Sequence, residues 1–356
     1  MRKKETLKIL IFFIVFAVLL LPVSYLLRPD DGHTKATFAG FYAEENNTLD
    51  TVFIGSSAAY RYFVPPLLWK NYGVTSYVLA TSAQPLDTVP YIIAEAEKTQ
   101  SPKLYVVEIR RLIMEDYNIK NNLYQESSDR ESQLRQVADN MKYSRNRTQL
   151  INSTVDGDKT DWLIDIIHNH SNWKYITSKS FGLMLYNKKS SVKSATTIGA
   201  WKELQKFETE SYAGEQLELE NKTKQKLVNL LKFCKGRGLN VLFVSTPYVE
   251  DSQYIALENY AAEVIKNYGY GYLNCNYLYD EIGVDFSSDF YNSQHTNILG
   301  AEKVTSYIGD YIVKNYAVLS SHGESIAKDW DKAYESWSAI AAAQEQAVKS
   351  AVGKNK

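Results

Sequence analysis

Residues 49 to 61 read LDTVFIGSSAAYR, and this stretch decides the fold. Thr51 to Gly55 is a short apolar run rich in β-branched residues, and Gly55, Ser56 and Ser57 form a small-residue turn at its end. A run of this kind, bounded by turn residues, predicts a buried strand that is followed at once by a helix. The turn then lies at the carboxyl end of the strand, where ligands bind in parallel sheets.

Four more runs of the same type follow along the chain, and helical patterns separate them. The runs are Ser76 to Ala80, Leu104 to Ile109, Asn240 to Ser245 and Gly271 to Cys275. The helical patterns are Thr88 to Thr99, Glu218 to Lys235, Tyr254 to Tyr268 and Leu299 to Tyr316. This alternation predicts an α/β fold, a three-layer sandwich in which helices cover both faces of a roughly five-stranded parallel sheet. We assign residues 48–316 to this domain.

Two segments depart from the alternation. Residues 111 to about 217 contain no comparable strand run and are rich in charged and amide residues, so we predict an inserted helical lid there. Residues 317–356 form a C-terminal segment with apolar side chains at helical spacing. These apolar positions are Ile326, Trp330, Tyr334, Trp337 and Ala341. The pattern predicts an amphipathic helix that either docks against the domain or offers a surface to a glycan, a membrane or a partner protein.

The N-terminus carries a basic cluster followed by a long apolar run. Residues 1–8 contain four basic side chains, and residues 9–27 are uncharged and mostly apolar. These 19 residues form a helix of roughly 28 Å, close to the hydrocarbon thickness of a bilayer. The positive-inside rule then predicts a single-pass cell-membrane protein with a cytoplasmic tail, an anchor over 9–27, a linker over 28–47 and an extracellular main domain. A cleaved signal peptide is the alternative, although the run is long for one and no small-residue cleavage site follows it.

Composition argues against several classes of function. The chain is 45% hydrophobic and 23% charged with a formal net charge of −1, which does not favour nucleic acid as a partner. Its two cysteines, Cys234 and Cys275, form no Cys-x-x-Cys metal motif. The sequence also lacks a phosphate-binding loop and a dinucleotide-binding glycine motif. We therefore predict neither a metal nor a cofactor.

Ser57 and His295 are the two residues best suited to chemistry. A hydroxyl at the carboxyl edge of the sheet meets a bound substrate, and backbone N–H groups of the turn can face an oxyanion. A serine nucleophile needs a base, and His295 stands in a comparable position just before the last helical pattern. Each residue alone has a simpler interpretation, Ser57 as part of a turn and helix cap and His295 as a polar residue at a helix start.

Three blocks in this order resemble the SGNH or GDSL hydrolase superfamily. They read FYAE at 41–44 with LDTVFIGSS at 49–57, VLATSAQPL at 78–86, and DFYNSQHTN at 289–297 with GAEK at 300–303. The resemblance is to a membrane-anchored branch that is similar to the D-alanine transfer protein of teichoic acid modification and to accessory proteins of alginate acetylation. It covers roughly residues 41–315 and implies a flavodoxin-like sheet of the SGNH type.

The resemblance implies a role for each matching residue. Ser57, the third member of its block, occupies the nucleophile position, and His295 occupies the base position. The oxyanion hole would use the backbone N–H groups of Ser57 and of Ala83, where the family usually has glycine. An alanine keeps that donor provided that its φ is negative. After the third strand, Arg110 or Arg111 either supplies a positive contact in place of the family's third-block asparagine or only ends the strand as a salt-bridged residue.

The third member of the triad is the largest departure from the family. Asn292 stands three residues before His295, where the family has aspartate. An asparagine carbonyl accepts the imidazole N–H but lends no charge to an imidazolium, and the corresponding change in a serine protease costs about 10⁴ in rate. Asp289 is the alternative orienting residue. The sequence thus predicts a serine–histidine pair and leaves its third member open.

The resemblance implies an extracytoplasmic serine O-acyltransferase or O-acylesterase that acts on a cell-envelope polymer, either a teichoic acid or a polysaccharide. It also implies an acyl donor, with a membrane-bound O-acyltransferase as partner, and no cofactor. A second hypothesis is a catalytically weak protein that binds glycan or scaffolds an acyltransferase complex, with the Trp330 and Trp337 face as its contact surface. A third is a structural protein of sporulation or wall assembly on the same fold.

Overall fold

Strands and helices alternate through most of the structure, a computed structural model that describes residues 3–29, 33–123, 128–186, 188–249 and 251–355. The strands are β1 Thr51–Gly55, β2 Ser76–Ala80, β3 Leu104–Glu108, β4 Val241–Ser245, β5 Gly271–Asn274, β6 Phe290–Asn292 and β7 His295–Thr296. The first helices are α1 Lys3–Leu27, α2 Thr34–Tyr42, α3 Ser57–Tyr60, α4 Pro65–Tyr72, α5 Val89–Ala96, α6 Arg110–Lys120, α7 Ser128–Ala138 and α8 Arg145–Thr154. The later helices are α9 Thr160–Leu163, α10 Ile166–Asn169, α11 Ser178–Met184, α12 Asn221–Gly236, α13 Ser252–Asn267, α14 Tyr279–Ile282, α15 Ile298–Asn315 and α16 Glu324–Asn355. Four 3₁₀ turns are Leu86–Thr88, His170–Tyr175, Thr209–Tyr212 and Cys275–Tyr277.

The main sheet is parallel throughout, with strand order β2-β1-β3-β4-β5. Every residue of β1 to β4 is buried, which explains why these strands are unbroken apolar runs in the sequence. The prediction of an α/β fold with a five-stranded parallel sheet is confirmed. The chain passes from β1 outward to β2 and then crosses back to β3, so the carboxyl ends of β1 and β3 flank a topological switch point.

Alternate residues of each strand belong to two different hydrophobic cores. Val52 and Ile54 of β1 pack in a core that includes buried residues of α5, α12 and α13. Phe53, between them, packs in a core with buried residues of α4 and α15. Because successive side chains of a strand point to opposite faces, these two cores lie on opposite sides of the sheet and give three layers.

The described part of the segment between β3 and β4 is mostly helical up to Met184 and then mostly irregular as far as α12. Residues 111–217 contain nearly all of α6, all of α7 to α11 and two 3₁₀ turns, and no strand occurs among their described residues. Leu134 of α7 and Leu150 of α8 are buried in the same core as Val52. These helices therefore share the hydrophobic core of the domain.

The predicted linker over 28–47 is wrong, because α2 lies within it. Phe38 and Phe41 of α2 are only 1% exposed and belong to the core on the α5 side of the sheet. The short α2 presents these aromatic rings to the core although the flanking residues are polar. The domain thus begins close to the end of α1, with no free linker of the predicted length.

The amphipathic C-terminal helix α16 docks against the domain. Trp330 and Trp337 are 1% and 4% exposed. Trp330 packs near Trp69 of α4, whose indole Nε1–H donates to Asp331 at 2.8 Å, and the Lys193 ammonium lies 4.7 Å from the Trp330 ring centroid. The two tryptophans are therefore unavailable as a contact surface for glycan or a partner, contrary to the second hypothesis.

Helix α1 is long and apolar enough to cross a membrane, and its last turn is built into the domain. Ser24, Tyr25 and Leu27 are buried, as is Arg28 directly after the helix. The Arg28 guanidinium lies 2.5 Å from the Asp165 carboxylate, which also accepts hydrogen bonds from the hydroxyls of Ser24 and Tyr143. Residues 24–28 are thus part of the folded domain.

Candidate active site

Ser57 sits at the start of α3, directly after the carboxyl end of β1. The Ser56 side chain caps α3 by accepting the N–H of Ala58, and Ser57 is half-buried at the helix start. A side chain at Gly55 would put its Cβ 2.8 Å from the Cβ of Glu108, at the end of the neighbouring strand β3. Glycine therefore lets β1 and β3 approach at the switch point, where Ser57 emerges.

His295 lies beside Ser57 and belongs to the hairpin formed by β6 and β7. The two strands are antiparallel, and Asn292 pairs with His295 in the register. The His295 Nε2 lies 2.8 Å from the Ser57 Oγ. The chain separates these residues by 238 positions, and the fold brings them to hydrogen-bond distance.

Asn292, and not Asp289, contacts the outer nitrogen of the imidazole. The Asn292 Oδ1 is 3.1 Å from His295 Nδ1 and also accepts the backbone N–H of Gln294 at 2.9 Å. An Oδ1 acceptor requires a proton on Nδ1, which leaves the Nε2 lone pair directed to the hydroxyl of Ser57. Ser57, His295 and Asn292 thus form a continuous hydrogen-bonded chain.

Asp289 is fully buried and is occupied elsewhere. Its carboxylate pairs with the Lys303 ammonium at 2.7 Å and accepts the backbone N–H of Asp285 at 2.8 Å and the hydroxyl of Ser288 at 3.0 Å. Of the two orienting residues that the sequence left open, Asn292 contacts the imidazole and Asp289 bonds other groups. Its charge is neutralised by Lys303, and its hydrogen bonds shape the loop before β6.

Burial, together with two nearby arginines, keeps His295 uncharged. Its pKa falls from 6.5 to about 3, because burial disfavours the imidazolium and because Arg110 and Arg61 place positive charge nearby. The imidazole is therefore neutral at physiological pH, as a proton acceptor must be. It is also a weak base, since Asn292 offers no negative charge to offset these cations.

Arg110 is the arginine after β3 that faces the pair. It is buried, its guanidinium lies 3.4 Å from the Tyr62 hydroxyl, and it lies 4.9 Å from the ring centroid of Tyr248. Burial raises the pKa of the neighbouring Glu108 to about 7, an effect that Arg110 opposes. The Arg111 guanidinium instead donates to the side-chain oxygen of Gln133 at 3.1 Å. Of the two arginines that the sequence left open, Arg110 is the one whose charge acts on His295.

Sequence reasoning missed Arg61 and Tyr62. Arg61 donates to the Thr196 carbonyl at 2.7 Å. The Tyr62 hydroxyl donates to the Gln294 carbonyl and accepts the N–H of Thr296 and an N–H of Arg110. These hydrogen bonds connect the β6–β7 hairpin to the segment that follows β1. Their signal was present in the sequence, because they stand four and five residues after Ser57, about one helical turn away.

Ala83 adopts a backbone conformation that suits glycine. It follows β2 at the same edge of the sheet, and its φ is +47°. The condition of a negative φ is therefore not met. The backbone has the left-handed conformation that glycine favours, and an alanine in that conformation still carries its N–H. A left-handed residue with a Cβ is strained.

We expect Ala83→Gly to raise the free energy of unfolding by about 0.5–1 kcal/mol, because relief of roughly 1–2 kcal/mol of left-handed strain exceeds the added chain entropy of glycine. Urea unfolding of the purified protein measures the difference. Ala261→Gly, in the buried interior of α13, is the matched control and is expected to lower stability. Equal losses at both positions would contradict strain at Ala83.

A cavity of about 540 Å³ lies beside this site. Its walls include His33 and Thr196. The His33 ring centroid is 4.1 Å from that of Tyr60, and the Thr196 carbonyl accepts from Arg61. The cavity therefore borders the residues that follow Ser57.

One group of possible metal ligands occurs in the described residues, away from Ser57. Glu131, Asp161 and His168 place their ligand atoms within 4.8 Å of one another. The Arg135 guanidinium lies 3.1 Å from Glu131 and 2.5 Å from Asp161. Because the Arg135 guanidinium already occupies an oxygen of each carboxylate, the donor set does not suit a divalent cation.

Comparison with known proteins adds no assignment. No protein-family model matches this chain, and no curated protein matches it either. The candidate function therefore depends on the geometry of the site and on the resemblance of its sequence blocks.

Proposed function

We propose that this protein is an extracytoplasmic serine O-acyltransferase or O-acylesterase that acts on a cell-envelope polymer. The observation that carries the proposal is the Ser57–His295–Asn292 hydrogen-bonded chain at the topological switch point of a parallel sheet. The sheet order is the flavodoxin-like order expected of an SGNH-type fold, and residues 111–217 are its helical insertion in this proposal.

The first half-reaction forms an acyl-enzyme. The Ser57 Oγ attacks the carbonyl carbon of an O-acyl donor while its proton moves to His295 Nε2. The backbone N–H groups of Ser57 and Ala83 and the charge of Arg110 stabilise the oxyanion. Collapse of the tetrahedral intermediate breaks the donor's ester bond, and the departing alkoxide takes the proton from His295.

The second half-reaction releases the acyl group. A hydroxyl of the polymer, or water in an esterase, gives its proton to His295 and attacks the acyl carbon on Ser57. The Ser57 Oγ then leaves and recovers the proton. Every step is a proton or acyl transfer among these groups, so the proposal requires no cofactor.

The proposed location is the outer face of the cell membrane. The basic cluster of residues 1–8 lies at the N-terminal end of α1, before its apolar run, and the positive-inside rule keeps that end in the cytoplasm. Burial of residues 24–28 in the domain supports a retained anchor over a cleaved signal peptide. A membrane-bound O-acyltransferase is the proposed source of acyl groups, and the tether would keep Ser57 near it.

A catalytically weak scaffold or glycan-binding protein is the second candidate. The low pKa of His295 and the neutral Asn292 favour it, because both weaken the general base. In that case Ser57→Ala leaves the cellular phenotype intact. In the enzyme it reproduces the phenotype of a deletion.

Labelling with a fluorophosphonate probe tests the enzyme directly. We expect the full-length protein in isolated membranes to label, and we expect Ser57→Ala and His295→Ala to abolish labelling, because one removes the nucleophile and the other its base. Ser56→Ala is the matched control, since Ser56 caps α3 and should leave labelling in place. Folded protein that never labels, or a Ser57→Ala variant that still labels, would count against the proposal.

A further inference from the structure

An apolar patch surrounds the point where α1 enters the domain. Seven of the eleven exposed large apolar side chains that the described chain has outside α1 fall between residues 163 and 185. The six most exposed, here called the apolar patch, are Ile164, Ile167, Trp173, Tyr175, Phe181 and Leu185. Trp173 is 70% exposed, which is rare for tryptophan in a soluble domain.

The elements that carry the patch pack directly on the end of α1. The amide of Asn172, in the 3₁₀ turn, donates to the Leu27 carbonyl at 3.1 Å. Leu183 of α11 is buried with Tyr25 and with Ala39 of α2 in a small separate core. Asp165, just before α10, bonds Arg28. The patch is therefore fixed at the level of residues 24–28.

The length of α1 places this level inside the membrane interface. The apolar part of α1 that the domain leaves uncovered extends from Ile9 to Val23, with Leu20 and Pro22 half-buried and the other residues exposed, because Lys8 is charged and Ser24 is buried by the domain. These 15 residues are roughly 22 Å long, about 8 Å less than the hydrocarbon core of a bilayer. Amphipathic elements at an interface bury their apolar faces to about 5–10 Å, which is the missing length.

The side chains of the patch suit a lipid interface. Trp173 and Tyr175 are the residues that concentrate at the headgroup level of membranes. The Lys174 ammonium lies 5.1 Å from the centroid of the Tyr175 ring, so a cation stands beside the aromatic pair. Lysines next to an apolar face favour anionic headgroups.

We propose that the apolar patch inserts into the same bilayer leaflet interface from which α1 emerges. The occupant that we propose is a lipid bilayer. The patch is continuous with the end of α1, a helix that is long and apolar enough to cross a bilayer. Insertion of the patch also supplies the length by which the uncovered part of α1 falls short of the hydrocarbon core. The domain is then held in one orientation by two contacts. Gly182 of α11 lines the cavity beside Tyr60 and Arg61, so that cavity opens near the lipid surface.

Depth-dependent quenching of a dye on the full-length protein tests this proposal. Ile167→Cys and Phe181→Cys would each carry an environment-sensitive dye in nanodiscs of phosphatidylethanolamine and phosphatidylglycerol. Burial raises the pKa of Cys234 to about 12 and also raises that of Cys275, so neither native thiol competes for the label. Ile340→Cys, an exposed apolar position on α16, is the matched control.

We expect a blue-shifted emission at both patch positions, quenching by lipid-borne nitroxides and loss of quenching by aqueous iodide. The Ile340 position should behave in the opposite way. Iodide quenching at all three positions would overturn the proposal. If the patch positions are protected only in native membranes and not in pure lipid, a membrane protein covers the patch, which would also overturn it. The outcome does not depend on Ser57 chemistry, so failure of the proposed enzyme activity is a separate result.

Discussion

Asn292→Asp is expected to speed fluorophosphonate labelling of Ser57, and any acyl transfer, by about 10²–10⁴. The Asn292 Oδ1 already lies 3.1 Å from His295 Nδ1, so a carboxylate needs no change of geometry. Its charge would stabilise the imidazolium that forms as Ser57 loses its proton. It would also offset the positive charges of Arg110 and Arg61, which add to the effect of burial in lowering the pKa of His295 to about 3.

The pH dependence of labelling distinguishes this cause from a general loosening of the site. In the natural sequence the base is already neutral above about pH 4, so we expect a flat rate between pH 5 and 8. In Asn292→Asp the pKa of His295 rises, and the acid limb of the profile should move upward with it. Asn292→Ala removes the acceptor and is expected to slow labelling. An Asn292→Asp variant no faster than the natural sequence would show that His295 does not act as the base.

Asp165→Ala is expected to lower the free energy of unfolding by about 3–5 kcal/mol, because it leaves the buried Arg28 without its closest partner. Both side chains are at most 1% exposed, so water cannot replace the lost carboxylate. The hydroxyls of Ser24 and Tyr143 lose their acceptor in the same change. The lost interactions all lie at the junction between α1 and the domain.

Thermal unfolding in detergent micelles, followed by circular dichroism, measures this effect. Asp310→Ala is the matched control, since its ion pair with Lys314 is solvent-exposed and worth less than about 1 kcal/mol. A change in Asp165→Ala no larger than that of the control would contradict a structural role for the junction. It would also weaken the argument that residues 24–28 belong to the folded domain.

The sequence by itself determined the sheet and the pair that could react. The strands are apolar runs because both faces of the sheet are buried. Each run is a short continuous stretch of sequence, so the strands can be predicted without a structure. Ser57 was marked by the small-residue turn at a strand end. His295 was marked by its place just before the last helical pattern, and the resemblance between blocks supported its pairing with Ser57. The 2.8 Å contact between the two residues follows from a fold that no local pattern encodes.

Only the tertiary structure decided which neighbours complete the site. Asn292 and Asp289 stand three residues apart, and sequence spacing did not separate them. Lys303, on the following helix, neutralises Asp289, which leaves Asn292 on the imidazole. The effect of Arg110 and Arg61 on His295 is likewise a long-range Coulomb interaction between residues far apart in the chain.

The sequence pattern also did not indicate the backbone conformation of Ala83 or the burial of α2. Ala83 has a positive φ that its residue type argues against, because the surrounding turn imposes it. The polar residues around α2 suggested a linker, but Phe38 and Phe41 of α2 are buried in the hydrophobic core of the domain. Local sequence fixes periodicity and turns, whereas the partners of a buried charge or ring depend on which distant segments the folded chain brings beside it.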